Sequence, residues 1–381
     1  MDTTFITILL VLFLVIAGLA IDVGYIYIDE EELQHVAETA ALAGVQSLQQ
    51  RIVTHLQKNP AKLAEVVNDP VQETVRTAAR ESASGKHDAA ALVGLANDNT
   101  NSFGSDNDIT VGFWNYSAHS YTAGGKPVNA VQVRARRTAE SASVGMGTIG
   151  TFVSRISGID SHNFTPVATA AIPARTRPGI VLPAAACDPK CTYPQICTIP
   201  ERKMVRGPWG KGSNVANRFA YSSLRYQVAD SAAISGLICN DAPSQSVCGK
   251  PIYVTQGSDA TVMRDLESFM YNPAVDKANK EFDPATGRVT GWWVIVPLIE
   301  AASPGAMATF ETQLTTRYAL IRINRICASG PPGCGQQVDA PAGICAQGED
   351  NAFSFDRISC VSCSGNPSVL QMPGLQPMLV K

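Results

Sequence analysis

The first 186 residues contain no cysteine, and residues 5–21 contain no charged side chain. Charge is sparse throughout at 17%, and 30 basic residues nearly cancel 33 acidic ones, so the chain offers no basic stripe for a nucleic acid. All five histidines, at positions 35, 55, 87, 119 and 162, precede Cys187, and no two fall at metal-ligand spacing. A zinc site or a Cys–His catalytic pair therefore has no local support. The motifs GxSxG, HExxH, GxxxxGK[ST] and GxGxxG are absent, and with them the usual signatures of hydrolase, protease and nucleotide chemistry. Gly207-Pro-Trp-Gly-Lys-Gly212 resembles a ligand loop in composition, but its proline and tryptophan interrupt the run of amides that a phosphate needs. No CxxCH is available for covalent haem. The expectation is a non-enzymatic chain without cofactor, metal, small-molecule substrate or nucleic-acid partner.

What is present begins with ten cysteines, all between Cys187 and Cys363, in segments rich in Pro, Gly and Asn. Cys187, Cys191, Cys197, Cys239, Cys248, Cys327, Cys334, Cys345, Cys360 and Cys363 make an even set behind a hydrophobic N-terminal segment. That pattern suits an oxidising compartment and five disulfides, whose connectivity the sequence leaves open. The zinc alternative rests on Cys360-Val-Ser-Cys363 and lacks a second pair, since Cys187, Cys191 and Cys197 are separated by three and five residues.

The apolar run from Phe5 to Ile28 is interrupted only by Asp22 among charged residues. As a helix it spans roughly 36 Å, enough for a hydrocarbon core of about 30 Å. Asp22 would cost about 3 kcal/mol at the bilayer centre, and much less near the end of the run beside Tyr25 and Tyr27. Cleavage after Ala20 as a signal peptide is the competing reading. Against it stand the unbroken helical pattern and the missing basic n-region, and the latter leads us to expect a longer native N-terminus that carries basic residues. The helix is expected to continue through Leu33–Gly44, where Ala37, Ala40, Ala41 and Gly44 place small residues on adjoining faces. Such a surface admits the close approach of another backbone, either a second subunit's helix or the chain's own domain.

Leu19-Ala-Ile-Asp-Val-Gly-Tyr-Ile-Tyr27 and Glu32-Leu-Gln-His-Val-Ala-Glu-Thr-Ala-Ala-Leu-Ala-Gly44 resemble the start of the Tad (tight adherence) Flp-pilus-assembly proteins, the TadG-like group. There an apolar helix ends in an "LAxDxG" step followed by an "LQxAADAAALAG"-like run. This chain departs from that pattern at His35, Val36, Glu38 and Thr39 and in lacking basic residues ahead of the apolar run. Weaker similarity continues through Ile109–Tyr116, Pro127–Ala135, Phe152–Ile159 and Ala168–Ala171, which covers the first 175 residues or so, with a faint echo at Trp292–Pro297. The resemblance implies a single-pass inner-membrane protein with most of its mass in the periplasm or on the cell surface. It further implies contacts with the membrane and with other pilus or secretion-assembly subunits or copies of itself. An exported, disulfide-stabilised adhesion or binding module is the alternative. Some relatives carry a DxSxS metal site, but Asp230-Ser-Ala-Ala-Ile234 does not match it.

The expected fold class is α+β: a long N-terminal membrane and amphipathic helix against an antiparallel, pilin-like sheet, then a disulfide-rich mixed domain. The expected divisions are a transmembrane helix at 1–28, a helix-plus-sheet domain at 29–173, a Pro/Ala-rich linker at 174–186, a cysteine-rich domain at 187–366 and an extended tail at 367–381. Within the second unit, helical pieces end at Pro60, at Asn68-Asp-Pro70 and at Ser84-Gly-Lys86, and residues 97–108 form a solvated loop. A hairpin pairs 109–116 with 130–136 through Gly124-Gly125, with Val131, Val133 and Ala135 on one face and Gln132, Arg134 and Arg136 on the other. A short helix over 144–157 and a strand over 164–172 complete the unit. In the last domain, Trp292–Leu298 is a continuous apolar run suited to mid-sheet, and Tyr318–Ile326 alternates as its partner.

Overall fold

In the computed structural model the described residues are 2–69, 72–84, 87–88, 91–92, 94–115, 118–144, 147–151, 153–172, 179–206, 218–224, 230–240, 247, 249–255, 260–300, 310–331, 333–335, 345, 351–362 and 377–380. Helix α1 (Asp2–Lys58) runs without a break, because the chain has no proline before Pro60 and is dense in Leu, Ala, Gln and Glu. Its second half buries Leu33, Val36, Ala37, Ala40, Ala41, Val45, Leu48, Ile52 and Leu56, a stripe at steps of three and four residues. A 3-10 turn at Pro60–Lys62 redirects the chain into α2 (Leu63–Asn68) and α3 (Glu73–Ala83), and α3 packs back on α1.

Two short strands, β1 (His87–Asp88) and β2 (Ala91–Leu92), pair with each other. The helix-covered sheet then forms from β3 (Ile109–Asn115), β4 (Ser120–Ala123), β5 (Ala130–Arg134), β8 (Val167–Ala171) and β17 (Met378–Val380), in the order β17-β8-β5-β3-β4. All pairs in it are antiparallel, with Ile109 opposite Val133 and Val131 opposite Ala170. Strand β4 is an addition to the expected hairpin: exposed apart from the half-buried Tyr121, it carries no apolar alternation, and it occupies the free edge of β3. The expected polar face of β5 is also modified. Arg136 is buried rather than solvated, because Asp108 meets its Nε at 2.5 Å. The expected short helix over 144–157 is replaced by a 3-10 turn at Glu140–Val144, strand β6 (Ile149–Gly150) paired with β7 (Ser161–His162), and a 3-10 turn at Ser154–Ser157.

Beyond residue 178 lies a mixed sheet. Its strands are β9 (Gly179–Pro183), β10 (Cys197–Arg206), β11 (Ala220–Ser222), β12 (Pro251–Thr255), β13 (Lys280–Phe282), β14 (Val289–Ile299), β15 (Phe310–Cys327) and β16 (Ala352–Ser362). The 18-residue β15 pairs with β12 through its first part and with β14 through its second, so that β15-β12-β11-β9-β14 closes into a ring flanked by β16, β10 and β13. Trp292–Ile299 lies between neighbours and pairs with Thr315–Ile323, as its continuous apolar character requires. Helices α4 (Ser231–Cys239) and α5 (Ala260–Tyr271) pack against each other beside the ring, α4 opening on an Asp230 side chain that accepts from the Ala233 amide at 2.8 Å.

Two segments expected to be irregular are ordered. Residues 179–186, inside the expected linker, form the buried strand β9 and a 3-10 turn; Ile180, Val181 and Leu182 reward sheet pairing enough to override the flanking prolines. Residues 378–380, inside the expected tail, pair with β8. The chain is thus α+β, and one apolar cluster runs continuously from α1 through β5 and β8 to Trp293, Ile295 and Tyr318.

Candidate functional site

Helix α1 changes character along its length. From Phe5 to Ile16 nearly every large apolar side chain is exposed, Phe5 by 65% and Phe13 by 67%, whereas Leu33 and Leu48 are fully buried. Between the two regimes sits Asp22, only 2% exposed. One of its carboxylate oxygens accepts from the Val153 amide at 2.9 Å, the Ser154 amide at 2.7 Å and the Ser154 hydroxyl at 2.9 Å. It thereby caps the 3-10 turn at Ser154–Ser157, so the carboxylate is held by donors rather than left in apolar surroundings. One position from it on the helical wheel stands Asp29, also buried, whose carboxyl burial pushes upward while Arg137 opposes the shift.

The small residues anticipated as a packing face lie on the inner side of α1. Ala37, Ala40 and Ala41 have no exposure, and a Cβ placed on Gly44 would stand 3.1 Å from Val131 Cγ1 and 3.3 Å from Ala79 Cβ. Their neighbours here are therefore β5 and α3 of the same chain. A groove of about 690 Å³ opens between α1 and the strands of the sheet, lined by Gln34, Trp114, His119, Tyr121, Gln132 and Thr169 among others.

Eight of the anticipated cysteines form four disulfides: Cys187–Cys360, Cys191–Cys197, Cys239–Cys334 and Cys327–Cys345, with Cα separations of 5.2–6.4 Å. Cys248 and Cys363 lie outside the described residues. Pairing of Cys360 with Cys187 removes it from the zinc-ribbon alternative. The bridges tie β16 to the entry of the mixed domain and α4 to the loop at Cys334.

Several polar anchors were not legible in the sequence. Arg76, with no exposure, donates to the Ile109 carbonyl and to Asn101 Oδ1. Lys280 is equally buried, donating to the Phe269 and Asn272 carbonyls and standing 5.0 Å from the Phe269 ring centroid. Arg322 bridges Glu281 and Asp356, each at 2.6 Å. Asp22 alone carried a signal, as the one charge in the apolar run, but its donors lie 131 and 132 residues downstream.

Comparison with known families places these features. Residues 3–47 match the Flp pilus-assembly TadE/G-like family and residues 30–170 match the Tad-like Flp pilus-assembly family. The two matches meet on the part of α1 where exposure gives way to burial, and the second ends within β8. No curated protein and no solved structure matches the chain significantly. Residues 3–170 thus carry Tad-type Flp pilus-assembly sequence, TadE/G-like over 3–47 and Tad-like over 30–170.

Proposed function

We propose that the chain is a membrane-anchored structural component of a Tad-type Flp pilus or secretion assembly. Phe5–Ile28 spans the inner membrane, and the rest of the chain works in the periplasm or on the cell surface through protein contacts rather than catalysis. The observation that carries this reading is the exposed apolar half of α1, continuous with a half that is packed into the folded domain. Full burial of a large apolar side chain is worth about 1.5–3 kcal/mol, so the sixteen that α1 leaves 41–67% exposed forgo a substantial part of that in water, a penalty that a bilayer removes. An unbroken helix also transmits the position of the span directly to the sheet. The disulfides support the oxidising side for the mixed domain.

Deleting the gene and complementing it with the full chain or with a Leu10→Arg/Leu14→Arg variant tests the proposal. Two mid-span arginines cost roughly 5–7 kcal/mol of insertion. The full chain is expected to restore filaments and the variant to fail. Filaments that persist without the gene, or that the variant restores fully, would overturn the assignment.

A further inference from the structure

We infer that Val153–Asp160 is a second membrane contact, a turn that dips into the acyl–headgroup boundary beside α1 at Gly18–Asp22. The inference rests on reading Phe5–Ile28 as the span.

Depth is the first argument. A Cβ on Gly18 would stand 2.5 Å from Val153 Cγ2, so the turn lies directly on the helix there. Gly18 is 13 residues beyond Phe5, roughly 20 Å along a hydrocarbon core of about 30 Å, which leaves it roughly 10 Å short of the far boundary. If the core instead ends at Asp22, Gly18 still lies about 6 Å inside it. On the other faces of α1, Val23, Tyr27 and Ile28 remain exposed beyond Asp22, which places the lipid boundary past the turn's point of contact.

Backbone accounting is the second. Irregular backbone enters a bilayer only where its polar groups find partners in protein. The amides of Val153 and Ser154 go to Asp22, that of Gly158 to the Arg155 carbonyl and that of Ile159 to the Ser154 carbonyl, while the Ile159 carbonyl accepts from Thr151 Oγ1. Gly158 permits this turn with φ of +84°.

Surface chemistry is the third. Among the described residues, the exposed large apolar side chains outside α1 are Ile159, Val167, Leu314 and Leu379, and Ile159, at 46% exposure, sits on this turn. Beside it Arg155 and Asp160, both more than 70% exposed, form a pair suited to the headgroup layer. A lipid surface is the occupant these features fit, because the turn continues the lipid-facing surface of α1.

Nitroxide labels at Ile159→Cys, Leu12→Cys and Ser120→Cys, introduced one at a time into the full disulfide-bonded chain in phospholipid nanodiscs, test this. The readout is collision with oxygen, which concentrates in lipid, against collision with a water-soluble nickel chelate. The Leu12 label reports the span, and the Ser120 label reports an exposed strand on the sheet. The inference expects the Leu12 and Ile159 labels both to shift toward oxygen relative to Ser120. A Leu12 label in lipid with an Ile159 label as chelate-accessible as Ser120 overturns the turn's insertion and leaves the span standing. A Leu12 label that is itself chelate-accessible overturns the span, and the inference with it.

Discussion

Replacing Gly44 separates a packed helix face from an idle one. A Cβ at this position would lie 3.1 and 3.4 Å from the two Val131 methyls and 3.3 Å from Ala79 Cβ, tight but close to contact distance. Gly44→Ala therefore sets modest crowding against the roughly 1 kcal/mol that alanine gains over glycine inside a helix, and the sum is near zero. Gly44→Leu adds three more carbons into the seam between α1, α3 and β5, where Ala40, Ala41, Ala79 and Val131 are fully buried and cannot yield to solvent. Overpacking of about 1–3 kcal/mol follows, and the helix-propensity gain of leucine offsets part of it. Thermal unfolding of the full chain in detergent, followed by circular dichroism, is the assay. We expect Gly44→Ala within a degree or two of the parent and Gly44→Leu lower by several degrees, at the 2–4 °C per kcal/mol typical of units of about 150–250 residues. A leucine variant as stable as the alanine variant would show that the seam is not packed, and the account of α1 as the spine of the first domain would fail.

Asp22→Ala strips an acceptor from two amides and a hydroxyl, at about 1–3 kcal/mol for each buried donor left unpaired; trypsin should then cut at the exposed Arg155 many times faster, whereas an unchanged rate would refute the cap. Non-reducing peptide mapping should recover Cys187–Cys360, Cys191–Cys197, Cys239–Cys334 and Cys327–Cys345. Serine replacement of the first pair, which closes a separation of 173 residues, should cost more than replacement of the second, which closes 6: about 5 against 2 kcal/mol by chain entropy. Burial drives the phenols of Tyr193 and Tyr121 well above the ordinary tyrosine range, with the Thr110 hydroxyl bond a smaller opposing effect at Tyr121. The unfolded chain ionises near pH 10, so stability is intact below that value and is lost as pH rises toward the folded-state values. Absorbance at 295 nm should show these two phenols titrating only together with unfolding.

How much of this could be read in advance depends on whether the determinant is local. The unbroken α1, the helix ends at Pro60 and Ser84, and the pairing of Trp292–Leu298 with Tyr318–Ile326 follow from composition and periodicity within a few turns of chain. Strand β4 escaped because a short edge strand with one half-buried residue, Tyr121, has no apolar period to detect. Strand β9 escaped because its three branched or large aliphatic residues lie among prolines, and only its pairing with the distant β11 and β14 makes a strand of them. The partners of Asp22, Arg76 and Lys280 are set by tertiary packing, as is the choice among cysteine pairings, so no window of sequence contains them.

The most direct test of the central claim is flotation of the full chain, reconstituted with phospholipid vesicles, through a density gradient after an alkaline wash, beside a variant carrying Leu9→Asp, Phe13→Asp and Ile16→Asp. These positions are 49%, 67% and 58% exposed in the parent, so the changes leave the folded domain's packing untouched. Parent chain that floats with the vesicles while the variant stays in the dense aqueous fraction is the result predicted for a spanning α1. Parent chain released by the wash, or a variant that floats equally well, would contradict it.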